Sequence, residues 1–135
     1  MSTKLKTVIV DDEKDAVDFI FSIIGEYCPG LDVAGKAHDV NEGVQTIKEL
    51  KPDLVFLDVE MPHGTGFDLL THFPDKEFDV VFITAFNHYA IKAIKYSAVD
   101  YILKPININE FIEAVNKVMQ KRSSSMFRGN ENIKA

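Results

Sequence analysis

Leu54-Val55-Phe56-Leu57-Asp58-Val59-Glu60-Met61-Pro62-His63-Gly64-Thr65-Gly66 is the stretch whose reading decides the fold. Apolar residues run from Leu54 to Leu57 without alternation and stop at an acid, after which Pro62, Gly64 and Gly66 announce a turn-rich loop. An unbroken apolar run of this length suits a strand covered on both faces, the signature of a parallel sheet. Working outward, Leu5 to Val10 suits a strand covered on both faces too, and Leu31 to Ala37, Asp79 to Thr84 and Val99 to Leu103 also read as strands.

Helical spacing fills the intervals. Ala16, Ile20, Ile23, Ile24 and Tyr27 share a face, with Asp12 expected as N-cap, Asp15 three residues on, and Pro29-Gly30 as the stop. Asp39 and Glu42 have capping-box spacing before Val44, Ile47 and Leu50, and Pro52 ends that helix. A short helix is expected from about Gly66 to Phe73 and another from Asn87 to Tyr96. The clearest stripe is Ile108, Phe111, Ile112, Val115, Val118 and Met119, with Asn107 and Glu110 as its capping pair. The pattern stops after Lys121. Five strands alternating with five helices predict an α/β, doubly wound parallel sheet with helices on both faces.

Composition agrees with one domain and narrows its partners. At 135 residues with 46% hydrophobic content, the chain buries roughly two-thirds of its unfolded surface and needs no disulfide or structural metal. Cys28 is the single cysteine, no leader is evident, and the apolar runs are strand-sized, so a cytoplasmic protein without a membrane span is expected. Residues 121–135 carry Lys121, Arg122, Arg128 and Lys134 against Glu131, a net of 4 − 1 = +3, so the first 120 residues sum to −6 − 3 = −9. A body this acidic does not hold a phosphate backbone, because that mode needs clustered Lys and Arg. A divalent cation or a basic partner fits better.

Parallel sheets place their site at the carboxyl ends of the strands, near the reversal of strand order. There the sequence sets Asp11-Asp12, Asp58, Thr84 and Lys104-Pro105. Carboxylates gathered on one rim repel, and a hard cation such as Mg²⁺ relieves them while leaving positions for phosphate oxygens. Lys104 supplies a point charge and Thr84 a hydroxyl, the complement for a transferring phosphoryl group. An aspartate can itself be the nucleophile in such a site. Asp58, alone at the end of a central strand, is the best candidate, while Asp11 and Asp12 are better placed as metal ligands. Glu60 lies two residues past Asp58, where its side chain would face a phosphoryl group, and Phe86 lies two past Thr84, where it would shield attacking water. None of His38, His63, His72 and His88 has zinc-ligand spacing.

Taken together, Val10-Asp11-Asp12-Glu13, Leu57-Asp58-Val59-Glu60-Met61-Pro62, Gly64-Thr65-Gly66, Thr84-Ala85 and Lys104-Pro105 resemble the receiver domain of two-component response regulators over roughly residues 4–121. The resemblance implies a flavodoxin-like strand order of 2-1-3-4-5 and Asp58 as phosphoacceptor for a sensor histidine kinase. It implies Mg²⁺ held directly by Asp12, Asp58 and the Glu60 backbone carbonyl, with Asp11 acting through water. It further implies Thr84 and Lys104 on the phosphoryl group, Tyr101 as the aromatic that turns inward with Thr84, and a cis Lys104-Pro105 bond. The signalling and possible homodimer face would be helix four, strand five and helix five.

Thr84-Ala85-Phe86-Asn87-His88-Tyr89-Ala90 and Ala98-Val99-Asp100-Tyr101-Ile102-Leu103-Lys104-Pro105 are similar to receivers of the LytTR type. That narrower likeness implies transcriptional output through a DNA-binding domain not in this sequence, toward which residues 122–135, polar and rich in Ser, Gly, Asn and Lys, would lead as a linker or end as a tail. The alternatives are a stand-alone receiver acting as a relay or protein-interaction switch and an aspartyl-phosphate phosphohydrolase. The latter commonly needs a cap domain, for which 135 residues leave no room.

Overall fold

The structure, a computed structural model, describes the backbone of residues 4–134 and the side chains of residues 4–124. Five parallel strands form the sheet: β1 (Leu5–Val10), β2 (Leu31–Ala37), β3 (Leu54–Leu57), β4 (Asp79–Thr84) and β5 (Asp100–Leu103). Their order is β2-β1-β3-β4-β5, the flavodoxin-like arrangement expected. Helices α1 (Lys14–Tyr27), α2 (Val40–Leu50), α3 (Gly66–Thr71), α4 (Ala90–Lys95) and α5 (Ile108–Lys134) make the crossovers and the carboxyl end.

Period-two alternation inside the buried strands divides the core in two. Val8, Val10, Val55, Leu57, Val80 and Phe82 face one layer with Val44, Ile47, Leu69 and Ala93. Ile9, Leu54, Phe56, Val81 and Ile83 face the other, with Val17, Ile20, Ile24, Phe111, Val115 and Val118. Neither face of a central strand meets water, which is why these segments carry no polar alternation. Phe56 stacks on Phe111 with ring centroids 4.9 Å apart, locking α5 to the middle of the sheet.

Local capping signals hold at two helices and fail at a third. Asp39 caps α2, accepting from the Glu42 N–H at 2.7 Å, while Glu42 accepts from the His38 N–H at 2.5 Å. Asn107 accepts from the Glu110 N–H at 3.1 Å. Asp12 does not cap α1: the N-cap is Glu13, with no side-chain cap bond. Asp11 takes the local donor instead, accepting from the Glu13 N–H at 2.9 Å. Helix α4 begins at Ala90 and not Asn87, because residues 85–89 are held as a loop by side chains from other elements.

Helix α5 continues past Lys121, where the apolar stripe ends, to Lys134. Its continuation at residue 122 is anchored by charge: Arg122 Nε donates to Asp79 at 2.9 Å and Nη2 to the Asp53 carbonyl at 2.7 Å, while Lys121 also pairs with Asp79. Asp79 is buried, so those bases compensate a carboxylate that water does not reach. Residue 122 therefore packs against the body, and the side chains of Arg128, Glu131 and Lys134 lie outside the described residues.

Candidate functional site

Strand order reverses beside β1, so the carboxyl ends of β1 and β3 border one crevice. Asp11 follows β1 and Asp58 follows β3; both side chains are buried, and Asp12 beside them is half-buried. Each of Asp11, Asp12 and Asp58 offers an oxygen within 4.8 Å of the others. Thr84 closes β4, fully buried, and Lys104 follows β5. The rim expected from strand ends is therefore one site.

Lys104 holds that rim together. Its Nζ lies 2.5 Å from Glu13, 3.0 Å from Asp11 and 3.4 Å from Asp58. Burial acts to lower its pKa, but the carboxylates of Glu13, Asp11 and Asp58 outweigh burial and push it up, so the amine stays charged. At Asp58 burial wins instead. Burial first, and then the charge of Asp11, raise it from 3.8 to about 7, against the lowering effects of Lys104 and the Thr84 hydroxyl. Burial also raises Asp11, partly offset by the Glu13 N–H and Lys104. One cation among this many acids leaves the site short of positive charge.

A second sign is local. Asp11 Oδ2 is buried with no donor aligned for a hydrogen bond, although Lys104 Nζ is near it. An all-oxygen carboxylate set, with a buried oxygen that lacks an aligned hydrogen-bond donor, fits a hard divalent cation and not zinc.

The loop after β3 reaches the site through glycine. Glu60–Met61 and Gly64–Thr65 form a two-stranded antiparallel ladder around Pro62 and His63, with His63 at φ 66°. A Cβ on Gly66 would stand 2.5 Å from the Asp58 backbone carbonyl and 2.9 Å from Leu57 Cγ. Gly64 serves a different approach, since its Cβ would meet Val40 at 2.9 Å. Gly66→Ala is expected to lose about 1–3 kcal/mol by overpacking and to displace Asp58, read by urea unfolding; unchanged stability would refute the steric reading. Thr65 and Asp68 form a reciprocal capping box at α3 that the glycine-rich sequence conceals.

The family model described as the response regulator receiver domain matches residues 7–116. The chain belongs to this family. It is 34% identical over 122 residues to an uncharacterized response regulatory protein of Vibrio cholerae, covering 90% of this chain and 51% of that one. It is 34% identical over 120 residues to the transcriptional regulatory protein BtsR of Escherichia coli, covering 88% of this chain and 50% of that one. The receiver thus spans about half the length of the curated relatives it matches. Among solved structures, the REC domain of AraT, a response regulator from Geobacillus stearothermophilus, superposes with a TM-score of 0.81 at 28% identity, covering 93% and 99% of the two chains.

In this receiver the Lys104-Pro105 bond is cis. Tyr101 is half-buried, its ring centroid 6.2 Å from that of Phe82, and its hydroxyl donates to the Phe86 carbonyl. The N–H of Phe86 in turn lies 3.4 Å from Thr84 Oγ1. One residue of the β4–α4 loop thus links the threonine to the tyrosine. The Glu60 carboxylate accepts from the Tyr89 hydroxyl at 2.9 Å. No spacing in the sequence marks Tyr89 as the partner of Glu60, or Glu13 as a partner of Lys104.

Proposed function

We propose that this receiver accepts a phosphoryl group from a sensor histidine kinase on Asp58, with Mg²⁺, and that the adduct changes its partner surface. The observation that carries the reading is the crowding of Asp11, Asp12 and Asp58 on one rim, where, of these three, Lys104 reaches only Asp11 and Asp58 and Asp11 Oδ2 has no donor aligned for a hydrogen bond. Asp12, Asp58 and the Glu60 backbone carbonyl would hold Mg²⁺ directly, with Asp11 acting through water. The bound ion supplies positive charge for the carboxylates and for phosphoryl oxygens.

A carboxylate oxygen of Asp58 attacks phosphorus as the bond to the donor nitrogen breaks, and the electron pair leaves on the imidazole. Lys104 stabilises the charge that accumulates on the phosphoryl oxygens. Thr84 donates its hydroxyl to one of them, which withdraws that oxygen from its contact with the Phe86 N–H. The loop carrying Phe86 then shifts under Tyr101. Two arrangements separated by a few kcal/mol are enough for this set of contacts to shift the population.

The responding face is α4, β5 and α5. Ile91 and Ile94 on α4 are 75% and 74% exposed, and Leu103 on β5 is 41% exposed. An apolar patch of this kind suits a homodimer contact. Transcriptional output through a LytTR-type DNA-binding domain is proposed from the sequence likeness and from BtsR, a transcriptional regulatory protein. The residues after Arg122 would form the connection, and the cytoplasm is the proposed compartment. No helix among the described residues is long and apolar enough to cross a membrane.

Incubation with a small phosphodonor and Mg²⁺ tests the reading. A slow, single, acid-stable and base-labile adduct is expected by mass spectrometry. Rapid multiple turnover would instead support a phosphohydrolase, and the absence of any adduct would overturn both.

A further inference from the structure

The Glu60–Tyr89 hydrogen bond joins two loops that both border Asp58 and Thr84. Glu60 lies two residues past Asp58, and Tyr89 closes the segment between Thr84 and α4. The tyrosine ring is fixed from several sides. Its centroid is 4.1 Å from that of His88, 5.8 Å from Phe67 on α3 and 6.4 Å from Phe86. A hydroxyl on a ring packed against these three neighbours is an anchor for a flexible glutamate.

The same loop is bound to the switch residues. Phe86 contacts Thr84 through its N–H and Tyr101 through its carbonyl. Movement of Thr84 toward a phosphoryl group therefore acts on the backbone that carries Tyr89. Glu60 is the exposed carboxylate nearest in sequence to Asp58, and the bond to Tyr89 occupies one of its oxygens.

We propose that Tyr89 is a positioning residue that holds the Glu60 carboxylate off the phosphoryl group and so sets the lifetime of the aspartyl phosphate. The proposal rests on phosphorylation of Asp58. In hydrolysis a water oxygen bonds to phosphorus, the bond from phosphorus to the Asp58 oxygen breaks, and the electron pair returns to the carboxylate. The proton of that water passes to Glu60 and from there to the departing inorganic phosphate. A glutamate released from Tyr89 is free to swing toward that water and take its proton, whereas the bond to Tyr89 holds the carboxylate away from it.

Tyr89→Phe keeps the ring and removes only the donor. The adduct half-life, measured by loss of labelled phosphate, is expected to shorten about three- to tenfold, a small share of what general-base assistance can supply. Combined with Glu60→Gln, the same substitution is expected to leave the half-life unchanged, whereas a merely structural effect would appear in both backgrounds. An unchanged or longer half-life in Tyr89→Phe, or equal shortening in both backgrounds, overturns the proposal.

The bond itself has a readout that needs no phosphate. In ¹³C-tyrosine-labelled protein, the Tyr89 ring resonance, assigned by its loss in Tyr89→Phe, is expected to move in Glu60→Gln. A static resonance overturns the anchor. If no variant is labelled by phosphodonor, the phosphoacceptor reading and the lifetime claim fail together, while the resonance still decides whether Tyr89 holds Glu60.

Discussion

Asp58→Asn is expected to abolish the phosphoryl adduct and at the same time to stabilise the cation-free fold. Labelling is lost because the attacking carboxylate is gone. The gain in stability has an electrostatic origin: Asp58 is buried beside Asp11, and both effects oppose its charge, raising it from 3.8 to about 7. Because the folded pKa is the higher one, the folded state keeps a proton that the unfolded chain has lost across that interval. Stability tied to this group is full below about pH 4 and is lost as pH rises through about 7. In chelator the variant should therefore exceed the parent most above pH 7, by about 1–3 kcal/mol, and show little difference near pH 4. That corresponds to a Tm rise of about 4–12 °C in a domain of this size. Adding Mg²⁺ should raise the parent and barely move the variant. A variant less stable than the parent at pH 8 in chelator would contradict the crowding of Asp58 against Asp11.

That charge arrangement is partly legible in the sequence and partly hidden. Strand ends are visible because unbroken runs such as Leu54–Leu57 need burial on both faces, and parallel topology then carries the residue after each strand to one rim. Asp11, Asp12, Asp58, Thr84 and Lys104 gather on that logic alone. The contact between Lys104 and Glu13 spans 91 residues and the Glu60–Tyr89 bond spans 29, and no period or spacing encodes either. Asp12 shows the converse. Its place ahead of an apolar stripe is indistinguishable from an N-cap, yet the tertiary site claims it.

Helix ends divide in the same way. Asp39 and Asn107 cap as expected because capping is a bond across three residues. Helix α4 starts later than its spacing predicts because Thr84, Glu60 and Tyr101 hold the preceding loop, and two of those lie far away in sequence. The continuation of α5 leaves no trace in the hydrophobic pattern, because its residues after Lys121 lack an apolar stripe. Arg122 contributes there by pairing with Asp79, 43 residues earlier. Periodicity reports burial against apolar neighbours and is silent about helices anchored by charge.

Lys104→Met is expected to move stability in the direction opposite to Asp58→Asn, with comparable size. Lys104 is 15% exposed and faces Asp11, Asp58 and Glu13 within 3.4 Å. Methionine keeps most of the stem's packing and removes the cation, so two buried carboxylates lose the positive charge nearest to them. Breaking such a pairing from one side costs about 2–4 kcal/mol, since the remaining acids stay buried. The loss should be largest at pH 8 in chelator. It should shrink at pH 5, where Asp58 already carries its proton, given a pKa of about 7. Mg²⁺ should restore most of it, because an ion among the same oxygens does for them what the ammonium did. Thermal melts across pH, with and without Mg²⁺, read all of these trends. A loss of equal size in Mg²⁺ and in chelator would mean that Lys104 stabilises through packing alone and not as the counter-charge of the acidic rim.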